Sequence, residues 1–141
     1  MCQSEASSAG LARAANFKAL LAANGASAAS RFNLSGANWI RPDGVAIASS
    51  IANLFAGTLL VPIAQHADGS YLHQGDGSYN WSGAADPNTA GTAALTCNNW
   101  SSNSSSSTGE SGFAADVTGQ FFGSWNANPC SYSNSVFCFE N

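Results

Sequence analysis

The chain has little charge of either sign. Only 9% of its 141 residues are Asp, Glu, Lys or Arg, against about 25% in ordinary soluble domains. The net charge is −4, and the four basic residues are Arg13, Lys18, Arg31 and Arg41. Nucleic acids and sulfated polysaccharides require clustered Lys and Arg, so we expect neither as a partner. A surface of Ser, Asn, Thr and Gly favours a secreted or surface-exposed protein.

Long apolar runs are also missing. No stretch approaches the roughly 18 consecutive apolar residues of a membrane-spanning helix, and we predict no membrane insertion. Met1 is followed directly by Cys2, without the basic and apolar regions of a signal peptide. The length fits one domain with a proper core. We therefore expect a single domain, residues 1–141, that forms the C-terminal part of a longer exported protein.

Motifs for catalysis and metal binding are absent from the sequence. There is no Gly-x-Ser-x-Gly motif, no obvious carboxylate pair for glycoside hydrolysis and no zinc-type cysteine spacing. We predict a protein that is not an enzyme and has no cofactor or metal. A small hydrolase of surface polymers, built on His66 or His73, is the less favoured alternative.

Three aspartates, Asp68, Asp76 and Asp86, leave open one possible cation site. Carboxylates are hard oxygen ligands of the kind that calcium takes. Each of the three stands beside Gly or Pro, which favours a role in turn formation instead. Whether they hold a cation stays open at this point.

Four cysteines are the most informative residues that the chain does contain. Cys2 and Cys138 lie near the two ends, and Cys97 and Cys130 lie between them. Four cysteines allow three pairings; we favour the nested one, Cys2–Cys138 with Cys97–Cys130, because it joins the ends of the chain. Disulfides require an oxidising compartment, so we expect the protein outside the cell or on a bacterial cell surface.

Hydrophobic periodicity and turn residues predict two early helices followed by short strands, an α+β arrangement. The predicted helices are Ala9–Ala23 and Ala48–Ala56. The predicted strands are Thr58–Ala64, Tyr79–Trp81, Ala93–Trp100, Phe121–Phe122 and Val136–Phe139, the last of them central in a sheet. The Ser-rich segment 101–112 is predicted to be an exposed loop.

Aromatic residues on turn-rich segments supply the candidate ligand surface. Asp-Gly-Ser-Tyr occurs twice, ending at Tyr71 and at Tyr79. Together with His73 and Asp76, these tyrosines would form a patch that stacks on sugars or on a partner protein. The four tryptophans are predicted to serve the core; they are Trp39, Trp81, Trp100 and Trp125.

An ordered set of short motifs resembles the endostatin domain of collagens, a variant of the C-type lectin-like fold. The resembling pieces, in chain order, are Cys2, Phe17–Leu21, Leu54–Gly57, Trp81-Ser82-Gly83, Asp86-Pro87-Asn88, Cys97-x-x-Trp100, Gly119–Gly123, Cys130 and Phe137–Asn141. They cover nearly the whole chain. The resemblance implies two helices packed on a twisted, mainly antiparallel sheet with long loops and nested disulfides.

The family's metal and heparin sites do not carry over. No histidine precedes His66, the arginines form no patch, and the motifs of calcium-dependent sugar binding are incomplete. The resemblance therefore implies a lectin-like recognition module. We expect the tip of a bacterial adhesin that binds a glycan or protein on another cell surface. The alternative is a structural or trimerising end-domain of a surface fibre, so a homotrimer is among the expected assemblies.

Overall fold

A computed structural model describes residues 1–72, 78–124 and 126–141. Its helical elements are α1 (Cys2–Ser8), α2 (Ile51–Phe55) and α3 (Cys97–Trp100). Its strands are β1 (Phe17–Ala19), β2 (Tyr79–Trp81), β3 (Thr108–Phe113), β4 (Asn126–Pro129) and β5 (Cys138–Glu140). Short helices and antiparallel strands confirm a mixed α and β domain, while the C-type lectin-like fold stays a prediction.

The strands form two small antiparallel sheets. β1 pairs with β5, with Phe17 opposite Glu140 and Ala19 opposite Cys138. β2, β3 and β4 form the other sheet in that order. The prediction that the terminal strand is central in a sheet is wrong, because β5 is one of only two strands in its sheet among the described residues.

Two nested disulfides connect these pieces, and this prediction is confirmed. Cys2 is bonded to Cys138, with their Cα atoms 5.4 Å apart. Cys97 is bonded to Cys130, with a Cα separation of 5.6 Å. The outer disulfide attaches α1 to β5, and the inner one attaches α3 to the residue that follows β4.

The main hydrophobic core lies between α2, the 3₁₀ turn Gly119–Phe121 and the end of the chain. Phe121 and Phe122 are fully buried in it. Trp39 packs at its edge against the rings of three phenylalanines, Phe32, Phe55 and Phe139, with centroid separations of 5.7, 5.9 and 5.0 Å. A second cluster packs Trp81 and Trp100 around the inner disulfide. The predicted core role is confirmed for these three tryptophans; Trp125 lies outside the described residues.

The predicted helix Ala9–Ala23 is wrong. The helix lies earlier, at α1, and the chain turns at Gly10, which has a φ of +70°. Arg13 also has a positive φ, which a right-handed helix does not allow. The outer disulfide and the pairing of β1 with β5 place Phe17–Ala19 in a strand, overriding their helix propensity.

Three predicted strands are also wrong. Thr58–Ala64 is irregular, and Phe121 belongs to a 3₁₀ turn instead. Ala93–Trp100 contains turns and then α3. By contrast, the strand Tyr79–Trp81 is confirmed, as is the helix within Ala48–Ala56, which is shortened to α2.

The Ser-rich segment is only partly a loop. Residues 101–107 are irregular, but β3 begins at Thr108 and is the central strand of its sheet. Among the described residues, no helix has the length and hydropathy needed to cross a membrane.

Candidate functional site

A cleft of about 650 Å³ lies between α1, β5 and the segments 38–42 and 63–67. Ligand sites for small molecules typically have volumes of about 300–1,000 Å³. The walls are mostly apolar, and their larger side chains include Phe17, Trp39, Ile63, Leu72, Val136 and Phe137. The outer disulfide holds α1 and β5 together and so fixes two of the walls.

Arg41 of the cleft lining belongs to a cluster of three side chains with Asp43 and Tyr71, which we call the rim cluster. Arg41 lines the cleft and donates two hydrogen bonds to the Asp43 carboxylate, at 3.2 and 2.5 Å. The Tyr71 hydroxyl donates to the same carboxylate at 2.7 Å. The Arg41 guanidinium also lies over the Tyr71 ring, 5.5 Å from its centroid. The tyrosine ring is therefore held in one place although 53% of the residue is exposed.

Electrostatics within the rim cluster favour the ionised carboxylate. Hydrogen bonds from Arg41 and then from Tyr71 lower the pKa of Asp43 to about 2. The same hydrogen bond raises the pKa of Tyr71. The rim cluster is thus a closed ion pair with a neutral tyrosine at neutral pH.

Replacing Asp43 with Asn is expected to reduce the loss of stability in acid. A carboxylate whose pKa is lowered on folding stabilises the native state above its unfolded pKa, near 3.8, and this contribution is lost as the pH falls towards about 2. The urea midpoints of the native protein and Asp43→Asn should therefore converge between pH 4 and pH 2. Tyr71→Phe keeps the ion pair, so the difference between its urea midpoint and that of the native protein should change less over this pH range. Parallel midpoint curves would contradict the assignment.

Most polar groups around the cleft already have partners within the protein. Asn38 donates to the Ser49 carbonyl, and Gln65 donates to that of Gly69. The Trp39 indole donates to the Glu140 carbonyl at 2.6 Å. The Nδ2 atom of Asn134, another residue of the wall, is buried without a hydrogen-bond partner. The cleft therefore offers a ligand mainly apolar surface.

The structure places the predicted site residues in different surroundings. Tyr71 belongs to the rim cluster. Tyr79 is half-buried in β2, and its ring packs against Phe113 at 6.0 Å. His73 and Asp76 lie outside the described residues. Tyr79 packs against Phe113 while Tyr71 bonds to Asp43, so the two tyrosines have different surroundings.

Arg41 and Asp43 were missed as site residues. In the sequence they belong to Arg41-Pro42-Asp43-Gly44, which reads as a turn, and the turn is present, with the Gly44 amide donating to the Arg41 carbonyl. An Arg and an Asp two residues apart were the available signal. Nothing in the sequence indicated that Tyr71, 28 residues further on, would join them.

The aspartates considered for a cation form turns instead, where the structure describes them. Asp68 accepts hydrogen bonds from the amide and hydroxyl of Ser70. Asp86 accepts them from the amides of Asn88 and Thr89. Asp76 lies outside the described residues. Among those that are described, no group of three His, Cys, Asp or Glu residues is arranged to hold a metal ion.

Comparisons with known proteins give no family for this chain. No family model matches the sequence, and no curated protein matches it. The resemblance to the endostatin domain therefore stays a prediction, and the function is argued from the cleft and its rim.

Proposed function

We propose that this chain is a non-enzymatic recognition module that holds part of its ligand in the cleft. The observation that carries the proposal is the cleft itself, with its ligand-sized volume and mostly apolar walls. Apolar walls with a few polar groups are typical of binding sites. Tyr71 contacts Arg41 of the lining and has a fixed and exposed ring, the kind of side chain that contributes most to binding.

The proposed target is a glycan or protein on another cell surface. The low charge of the chain and its two disulfides support an extracellular setting. The resemblance to the endostatin domain supports a lectin-like role at the tip of an adhesin. A ligand with an apolar group for the cleft and polar groups for the rim would use both features.

A structural end-domain of a fibre is the second candidate, and exposed apolar residues favour it. Ile40 and Leu60 are 61% and 60% exposed, which is the surface that a subunit interface would cover. This candidate predicts a homotrimer in solution and no ligand. Light scattering distinguishes the two, because a strict monomer that binds cells supports the recognition module.

Replacing Tyr71 with Ala is expected to weaken binding to intact cells or arrayed glycans about tenfold or more. Loss of a central aromatic contact typically costs about 2 kcal/mol. Tyr132→Ala is the matched control, because Tyr132 is equally exposed, at 56%, but unlike Tyr71 has no contact with the lining residue Arg41 among the described residues. Binding should be measured by titration on cells and on a glycan array. Equal losses of affinity in both variants, or no binding by a folded native protein, would contradict the proposal.

A further inference from the structure

We infer that the cleft takes an uncharged, predominantly apolar group of the ligand and discriminates against anions. This inference rests on the proposed recognition function and adds the chemical class of what is bound. It follows from which charges face the cleft and from how each of them is already paired.

Arg41 is the only arginine or lysine in the described part of the cleft lining, and its guanidinium is already hydrogen-bonded within the protein. Three of its N–H groups donate within the protein, two to the Asp43 carboxylate and one to the Pro62 carbonyl at 3.0 Å. Its side chain is only 12% exposed. An anionic ligand would have to compete with a bidentate carboxylate for this guanidinium. Bidentate Arg–carboxylate pairs are among the strongest hydrogen-bonded pairs in proteins.

Among the described residues, the lining contains two carboxylates, and they differ in their pairing. Glu140 forms an ion pair with Arg13 at 2.5 Å. Glu5, on the exposed side of α1, has no ion pair among the described residues. With the other side-chain charges paired, Glu5 leaves one uncompensated carboxylate at the cleft, and it repels an anion. The α-amine of Met1, also in the lining, opposes this charge until the N-terminus is acetylated. His66, also in the lining, is exposed.

The walls match an apolar group in polarity as well as in charge. Phe17 and Leu72 are half-buried and line the cleft together with the edge residue Trp39. The indole N–H of Trp39 is already bonded to the Glu140 carbonyl. A ligand therefore gains stability mainly by removing apolar surface from water, at about 25 cal/mol per Å².

Two dyes that differ only by a sulfonate test this inference. N-phenyl-1-naphthylamine is neutral, 1-anilinonaphthalene-8-sulfonate is its anionic counterpart, and both fluoresce when buried in an apolar site. At pH 7.5 and low salt, the neutral dye is expected to bind with a Kd at least about tenfold lower. Both dyes are titrated against protein with an acetylated N-terminus, because acetylation removes the α-amine charge at Met1, another residue of the lining. Glu5→Gln should reduce the difference between the Kd values of the two dyes.

A substitution that fills the cleft tests whether the dye binds there. Ala67 is half-buried in the wall, and Ala67→Phe places a ring in the cleft. This variant is expected to lose at least about 90% of the affinity for the neutral dye, consistent with a loss of about 1.4 kcal/mol. Ala52→Phe, on the exposed side of α2, is the matched control and should bind normally. Near-ultraviolet circular dichroism confirms that each variant is folded. Equal affinity for both dyes, or binding that Ala67→Phe leaves unchanged, overturns the inference.

The outcomes separate this inference from the proposed function. If Ala67→Phe abolishes dye binding but not cell binding, the cleft has the stated chemistry and the recognition proposal fails. If the native protein binds cells but prefers the anionic dye, only the inference fails. Dye binding that disappears as the protein dimerises would show that a second copy fills the cleft, which also overturns the inference.

Discussion

Removing the outer disulfide by the double substitution Cys2→Ser and Cys138→Ser is expected to lower the free energy of unfolding by about 5 kcal/mol. The two cysteines are 136 positions apart, and in the chain-entropy model a closed loop of this size destabilises the unfolded state by about that amount. The total stability of a typical domain is only about 5–15 kcal/mol. The variant should therefore be near the limit of folding at 37 °C.

The loss should be greatest at the cleft. α1 has seven residues, too few to be stable as an isolated helix. Besides the disulfide, its links to the next segment include the hydrogen bond from Gln3 to the Ala15 carbonyl. Glu5 and Ala6 line the cleft. The variant is therefore expected to lose affinity for the neutral dye even under conditions where the rest of the domain remains folded.

Urea denaturation followed by tryptophan fluorescence measures the first effect, and dye titration at 10 °C measures the second. The comparison variant is Cys97→Ser with Cys130→Ser, which opens a loop of 33 positions and is expected to cost about 4 kcal/mol. That variant should keep more dye binding, since neither inner cysteine lines the cleft. A loss below about 1 kcal/mol for the outer pair would contradict the assigned role of this disulfide.

Local signals in the sequence were sufficient for some elements. Ser50, whose hydroxyl accepts from the Asn53 amide, and the glycine at 57, with a φ of +77°, bound α2 in the structure. β2 follows from its two aromatic residues between turn-forming segments, and the disulfides follow from the positions of the cysteines. Each of these features depends on residues close together in sequence, or on the one covalent bond that cysteine forms.

Other elements depend on contacts that no short window contains. α3 is a helical turn in which all four residues have positive φ, from +49° to +62°. Asn98-Asn99 was an available signal, because Asn tolerates this conformation better than most residues. The turn is held by distant partners, however. The Asn24 amide donates to the Asn99 side chain, and the Trp100 indole donates to the Ala22 carbonyl.

The candidate site shows the same limit. Its cleft is built by both ends of the chain together with the segments 38–42 and 63–67. Tyr71 was predicted as a ligand contact from its turn-rich segment alone. Its fixed position comes from Asp43, which the sequence presents only as part of a turn. Composition indicated an aromatic recognition surface, but the location of the cleft required the tertiary structure.

Replacing Gly123 with Ala is expected to destabilise the domain by about 3 kcal/mol or more. Gly123 is buried, and a Cβ atom there would overlap the Ala84 carbonyl oxygen and come within 2.9 Å of the Ala85 carbonyl oxygen. Both obstacles are backbone atoms, so relief requires two chain segments to move apart. Overpacking typically costs about 1–3 kcal/mol, and a clash between backbones belongs at the upper end or above.

Gly119→Ala provides a control in the same Gly-Gln-Phe-Phe-Gly segment. A Cβ atom at this position meets no atom within 4 Å, so the expected change is within about 0.5 kcal/mol. Thermal and urea unfolding of both variants measure the difference. Near-equal values would show that the 84–85 segment is free to move away from Gly123. A large difference would mean that the second glycine of the motif is required for close backbone packing and the first is not.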